Sequence, residues 1–132
     1  GHDWCNNTAY KDMWNYTQHY LRDVKQVHQL LYVYAPNSPS DHWDRAYVHY
    51  YPGDDKVDLI GFDRYDTQAA YPTTLLADCR EVVKFAKEKG KVPVIAETGI
   101  TGGIQDVTDP QWFMNNFTEV IFGDSEGLCS EA

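Results

Sequence analysis

The sequence predicts an α/β fold built on a parallel sheet, and three observations carry that prediction. Apolar runs and helical stripes alternate in the order αβαβαβα, which calls for parallel strands joined by right-handed crossovers. The run Val92-Pro93-Val94-Ile95-Ala96 is apolar throughout, as a strand covered on both faces requires. It stops on Glu97 and a Gly-rich turn, Thr98 to Gly103, at the strand end where α/β barrels carry their chemistry. Three strands are too few to close a barrel, which needs eight strands and about 250 residues. A small open sheet and an incomplete (β/α)8 barrel both satisfy the pattern.

Each element has its own signal. Tyr10, Met13, Trp14, Thr17, Tyr20, Leu21 and Val24 recur at the spacing of one helical face, predicting a helix from about Asn7 to Lys25. Asn7 or Thr8 can cap it. The first strand is Gln29 to Tyr34, closed by Ala35-Pro36-Asn37, since proline stops a ladder and Asn favours a turn. A short helix follows, Asp41 to His49, with Asp41 as its cap, and then a turn at Pro52-Gly53-Asp54-Asp55. The second strand is Val57 to Phe62, opening into Asp63-Arg64-Tyr65-Asp66. Leu75, Leu76, Cys79, Val82, Val83 and Ala86 form the stripe of a third helix, with Thr73 as cap and Gly90 where a left-handed residue belongs. The third strand is Val92 to Ala96. Asp109-Pro110 starts a last helix that runs to Ile121. No repeat, low-complexity segment or linker divides the chain, so its 132 residues read as one unit.

Composition removes several function classes. No run of eighteen apolar residues occurs, so a globular, soluble chain without a membrane span is expected. The formal charge of −9 argues against a nucleic-acid surface, which wants a basic patch. A neutral, hydroxyl-rich ligand is not repelled. Ten Tyr, four Trp and five Phe suit either an aromatic core or rings exposed in a cleft, where sugars are bound. Cys5, Cys79 and Cys129 fit no zinc spacing and allow at most one disulfide, whose partners the spacing leaves open. None of His2, His19, His28, His42 and His49 has metal-ligand spacing with a third ligand nearby. No metal and no cofactor are expected. Asn-x-Thr triplets at Asn6, Asn15 and Asn116 are compatible with secretion, and a secreted or cell-surface location is expected.

The chemistry collects at the carboxyl ends of the strands. The first offers Tyr34 and Asn37, the second Asp63 and Tyr65, the third Glu97. Two carboxylates, a phenol and an amide on one rim suit glycoside hydrolysis, which needs a nucleophile or base together with an acid. A Glu97 that caps the next helix or pairs with a Lys is the alternative. Asp63 and Tyr65 are two apart and point the same way on an extended backbone. A phenol that donates to a carboxylate favours its charged form, the form a nucleophile needs. A Tyr65 that fills the sheet–loop corner is the bland alternative, and Arg64 between the two reads as a solvated charge. The Thr98–Gly103 turn lacks the Lys and Ser/Thr of a phosphate loop and misses the dinucleotide pattern. No Ser sits in a G-x-S-x-G elbow.

Longer segments add a resemblance. Leu31-Tyr32-Val33-Tyr34-Ala35-Pro36-Asn37, then Tyr51-Pro52-Gly53-Asp54-Asp55-Lys56-Val57-Asp58-Leu59-Ile60-Gly61-Phe62-Asp63, then Glu97-Thr98-Gly99, resemble glycoside hydrolase family 26, the β-mannanases. Tyr10-Lys11-Asp12-Met13-Trp14 and Lys89-Gly90-Lys91-Val92-Pro93 are similar to it in the same order. The resemblance implies a (β/α)8 barrel and a retaining, endo-acting enzyme. By it, the chain holds strands five to seven, the C-terminal part of the catalytic domain, without strands one to four and eight. The nucleophile falls on Glu97. Tyr65 is implied to hydrogen-bond it, and Asp63 to shape the sugar site. Tyr34 and Asn37 are expected to line it.

The implied acid/base Glu follows a His and precedes a Trp-rich segment ending in a Gly like Gly1. It is therefore expected upstream of this chain, and Trp4 is left with cleft packing. A β-mannan or related plant polysaccharide is the expected partner, with no obligate protein partner. A xylanase or mixed-linkage glucanase of the same fold, or a non-catalytic carbohydrate-binding domain, are the other possibilities. A retaining pair needs its carboxyls only about 5–5.5 Å apart, and loss of the proton donor costs about 10²–10⁴ in rate. The 132 residues alone are therefore expected to be inactive, and, with open strand edges and an uncovered core, to aggregate or to need the other half of the barrel.

Overall fold

The computed structural model of the chain describes residues 6–132. Trp4, Cys5 and Gly1, to which expectations were attached above, lie outside the described residues. Three strands form one parallel sheet in the order β1 (Val33–Tyr34), β2 (Leu59–Asp66), β3 (Val92–Ile100). The parallel sheet expected from the alternating pattern is present. Its strand limits differ from the sequence expectation. β1 keeps only two residues of the predicted six, whereas β2 and β3 run on past their apolar stretches. Pairing continues as far as Asp66 opposite Ile100, because the backbone ladder does not stop where the hydrophobic pattern does.

The helices flank this sheet. α1 spans Asn7–His19 and widens into a π turn over Tyr20–Val24, in which the Lys25 amide donates to the Tyr20 carbonyl at 2.9 Å. Its cap is Asn6, one residue before the expected pair: the Asn6 side-chain oxygen accepts from the Ala9 amide at 2.9 Å. The Asp41–His49 helix is broken into a 3₁₀ turn (Pro39–His42), a π turn (Trp43–Tyr47) and the short α2 (Val48–Tyr50). Asp41 does not cap it, because its carboxylate is drawn to Arg64 at 3.2 Å. α3 spans Tyr71–Lys89 and starts at Ala70, so Thr73 lies inside its first turn instead of capping it. Gly90 has φ 64° and ends α3 as a left-handed residue, with its amide on the carbonyls of Ala86 and Lys87. The helix expected from Asp109 is a π turn (Phe113–Thr118) followed by α4 (Glu119–Phe122), and the Asp109 carboxylate accepts from the Gln111 amide before it. No helix among the described residues is long and apolar enough to cross a membrane.

The core lies between β2 and α3. Leu75, Cys79, Val82, Val83 and Ala86 of α3 are buried together with Ile60 and Phe62 of β2. Rings complete it. Tyr34 and Tyr47 meet edge to face at 5.1 Å, and Tyr51 and Phe85 do so at 5.2 Å. Two of the hydroxyls are satisfied inside: Tyr34 donates to the Tyr47 carbonyl at 2.5 Å and Tyr47 to the Gly61 carbonyl at 2.7 Å. Burial pushes both hydroxyls above the usual tyrosine range, so they stay neutral donors. Much of the aromatic excess is therefore core.

Alternation sorts β2 into two faces. Ile60, Phe62 and Arg64 look toward α3, while Asp63 and Tyr65 look the other way. Arg64 is only 3% exposed and pairs with Asp78 of α3, which corrects the expectation of a solvated charge. A guanidinium can be buried when carboxylates compensate it, and here Asp78 and Asp41 do so.

The far end of the chain is clipped to α3. Cys79 and Cys129 form a disulfide across 50 residues, with Cα atoms 5.6 Å apart. Asp124 organises the loop between: its carboxylate accepts from the amides of Glu126, Leu128 and Cys129 at 2.9–3.1 Å and from Arg80 at 2.6 and 2.9 Å. Burial alone would push this carboxyl up; the Cys129 and Glu126 amides and Arg80 outweigh it and hold the carboxyl at about 2. A depressed carboxyl contributes stability above its unfolded value, about 3.9, and loses it as pH falls toward the folded one. The Tm difference between the intact protein and its Asp124→Asn variant should thus be full above pH ~4 and shrink as pH falls toward ~2. Calorimetry across that range checks it, and a pH-independent difference contradicts it.

Candidate active site

One irregularity decides where Glu97 points. The β2–β3 register runs Phe62 opposite Ile95, then Asp63 opposite Glu97, so Ala96 is one extra residue in β3. With unbroken alternation Glu97 would share the face of Pro93 and Ile95, and Ile95 packs against the core. The bulge at Ala96 reverses the parity and turns Glu97 to the face of Asp63 and Tyr65. β1 joins the same row, because Asn37 bridges to Asp63 in parallel. The Asp63 amide donates to the Pro36 carbonyl at 3.2 Å, and the Ser38 amide to the Asp63 carbonyl at 2.9 Å. Asn37, Asp63 and Glu97 therefore stand abreast at the carboxyl ends of three parallel strands.

Tyr65 links this row to the next. Its hydroxyl donates to a Glu97 carboxylate oxygen at 3.1 Å. The ring lies over Gly99, its cross-strand partner, where an added Cβ would sit 3.1 Å from the Tyr65 ring edge. Gly99 thus leaves the space that lets the phenol reach back to Glu97. The bond to Glu97, reinforced by desolvation and nearby charge, pushes the Tyr65 hydroxyl up and keeps it a proton donor. Asp63 differs from its neighbour. One of its carboxylate oxygens is buried without a hydrogen-bond partner among the described residues. Burial, and then the charge of Glu97, push its carboxyl up.

The predicted rim residues separate into two groups. Glu97, Tyr65, Asp63 and Asn37 are brought together. Tyr34 is not: it is wholly buried and its hydroxyl is committed to the Tyr47 carbonyl, so it belongs to the core and cannot line a sugar site. Sequence reasoning passed over Gly99, Thr98 and Tyr71. Thr98 turns to the helix side, where its hydroxyl meets that of Tyr71 and donates to the Arg64 carbonyl at 3.2 Å. The available signal was Gly99 itself, two residues after Glu97 and therefore on its face. Among the described residues, no group of three or more His, Cys, Asp and Glu side chains is placed to hold a metal ion.

A parallel sheet with flanking helices, carrying two adjacent carboxylates and a phenol on its carboxyl rim, has the architecture of part of a (β/α)8-barrel enzyme. Comparison with known proteins makes the class specific: the model of glycosyl hydrolase family 26 matches residues 2–122, and the chain belongs to that family. It is 37% identical over 101 residues, 72% of its length, to a mannan endo-1,4-beta-mannosidase of Bifidobacterium adolescentis. It matches the solved modular endo-beta-1,4-mannanase from Cellulomonas fimi with a TM-score of 0.85 and 34% identity over 99% of this chain. The catalytic domain of the Bacillus sp. JAMB-750 endo-beta-1,4-mannanase matches with a TM-score of 0.81, at 31% identity over 99% of this chain. The chain spans 10% of the Bifidobacterium protein and 29% and 34% of the two solved structures. It is a fragment of such a barrel.

The contact between Gly99 and Tyr65 gives a direct check. Gly99→Ala should push the Tyr65 ring away by a few tenths of an ångström and lengthen its bond to Glu97. A crystal structure of the variant measures that distance; an unchanged 3.1 Å contact contradicts this role for Gly99.

Proposed function

We propose that this chain is the C-terminal part, about strands five to seven, of a retaining endo-β-1,4-mannanase in which Glu97 is the nucleophile. The observation that carries the proposal is the phenol of Tyr65 held 3.1 Å from Glu97 in the row that contains Asp63. Family membership and the mannanase relatives support the substrate class, a β-1,4-linked mannan.

In this mechanism a Glu97 oxygen attacks the anomeric carbon of a mannosyl unit, and the glycosidic carbon–oxygen bond breaks. The leaving oxygen takes a proton from an acid/base carboxyl that lies outside this chain. Water, deprotonated by the same group, then releases the sugar from Glu97 and restores it. Tyr65 keeps Glu97 oriented. Asp63 has a buried oxygen with no partner among the described residues, and a sugar hydroxyl donating to it would satisfy it. Asn37, exposed beside Asp63, is the remaining sugar contact. A secreted or cell-surface location is part of the same proposal, and the Cys79–Cys129 disulfide supports it, since such bonds persist in oxidising compartments.

The test is made in the intact enzyme on a panel of mannan, xylan and mixed-linkage glucan. Mannan should be the substrate cleaved internally, and Glu97→Ala should lower turnover by at least about 10³-fold. Tyr65→Phe withdraws the donor that holds the carboxylate in place, so turnover should fall. Near-native activity of Glu97→Ala removes Glu97 from the role. Preference for xylan or glucan overturns the substrate, and sugar binding without hydrolysis overturns the enzyme.

A further inference from the structure

The site face of β2 has a counterpart on its other side. Between Asp63 and Tyr65 stands Arg64, which points away from the carboxylates and into the layer between sheet and helix. Its side chain is 3% exposed and its Nε donates to Asp78 of α3, itself wholly buried. One terminal nitrogen donates to Asp41 at 3.2 Å, and the other reaches the Ser40 hydroxyl at 3.4 Å. Asp78 also accepts from the Ser40 amide at 2.8 Å and from its hydroxyl at 2.5 Å. Ser40 and Asp41 belong to the loop that leaves β1 just after Asn37. One guanidinium thus ties the rim of β2 to α3 and to the loop that carries Asn37.

Resting on the reading of Glu97 as nucleophile, we propose that Arg64 is a positioning residue for the Tyr65–Glu97 pair, acting from the helix side of the sheet. The backbone at Arg64 is fixed from two directions. Its side chain is held by Asp78, and its carbonyl accepts from Thr98, the residue after Glu97. Tyr65 and Glu97 are the immediate neighbours of these two fixed points. The angle at which the phenol meets the carboxylate is set by that clamp, because an exposed phenol and an exposed carboxylate have little packing of their own to set it. A planar fork suits the task and an ammonium does not: Lys can reach Asp78 but cannot bond Asp78, Asp41 and Ser40 in one plane.

The test uses the intact enzyme and mannan. Arg64→Lys keeps the charge and should lower kcat about 10- to 100-fold. KM should stay within about threefold. The double variant Arg64→Lys with Tyr65→Phe should lose less than the product of the two single losses, since both act on one contact. A purely structural role lowers Tm and leaves the two losses multiplicative, which overturns the proposal. Should Arg64→Lys fail to fold, Asp41→Asn is the second variant: its carboxylate is half exposed, and removing its charge loosens only the loop arm of the fork. It should lower kcat by a smaller factor with KM little changed, and a native kcat overturns the proposal. Glu97→Ala runs beside these variants. If it stays active, the nucleophile assignment has failed; if it is inactive while Arg64→Lys and Asp41→Asn keep a native kcat, only the role of Arg64 has failed.

Discussion

Everything on the rim depends on one extra residue in one strand. The Ala96 bulge converts a helix-facing position into a site-facing one, and Glu97 joins the row of Asn37 and Asp63 only because of it. A bulge leaves its extra residue out of the ladder and bends the strand locally. Pairing resumes after it, with Thr98 opposite Arg64 and Gly99 opposite Tyr65. The irregularity is thus confined to one step, and Glu97 is carried on a paired strand instead of a loose loop. A carboxylate on a paired strand is held more closely in place than one on a loop.

The two faces of this short sheet divide the electrostatic work. On the helix face, Arg64 is compensated by Asp78 and Asp41 in a layer with little access to water. On the rim face, Asp63 and Glu97 stand abreast with no cation between them, and a phenol is what reaches Glu97. Two adjacent carboxylates repel, and part of that repulsion appears in the raised carboxyl of Asp63. Had Arg64 turned to the rim, it would have neutralised the pair. Strand parity, which separates Arg64 from its neighbours on both sides, keeps the cation structural and leaves the carboxylates to the site.

The sequence carried the alternation of elements, the α3 stripe with its Gly90 stop, and the gathering of Asp63, Tyr65 and Glu97 on one side of the sheet, because each is a local pattern of polarity or backbone demand. Strand limits were not legible, since the ladder extends through Asp63–Asp66 and Thr98–Ile100, where the apolar pattern has already ended. Tyr34 sat at a strand end and looked like a site residue. Only the packing of Tyr47 and Tyr51 around it shows that it faces the core. Arg64 was misread for the opposite reason: its partners Asp41 and Asp78 are 23 and 14 residues away, and no local pattern links them. The same holds for the bulge. Val92 to Gly99 gives no sign that the alternation breaks at Ala96, although the placement of Glu97 turns on it.

The central claim is that Glu97 becomes covalently bonded to the sugar. Its most direct test is to incubate the intact enzyme with a 2-deoxy-2-fluoro mannosyl donor carrying a good leaving group, then digest it and map the adduct by tandem mass spectrometry. The account predicts one added fluoromannosyl mass, carried on Glu97. An adduct on Asp63, or an enzyme that turns the donor over with inversion and no adduct, would contradict it.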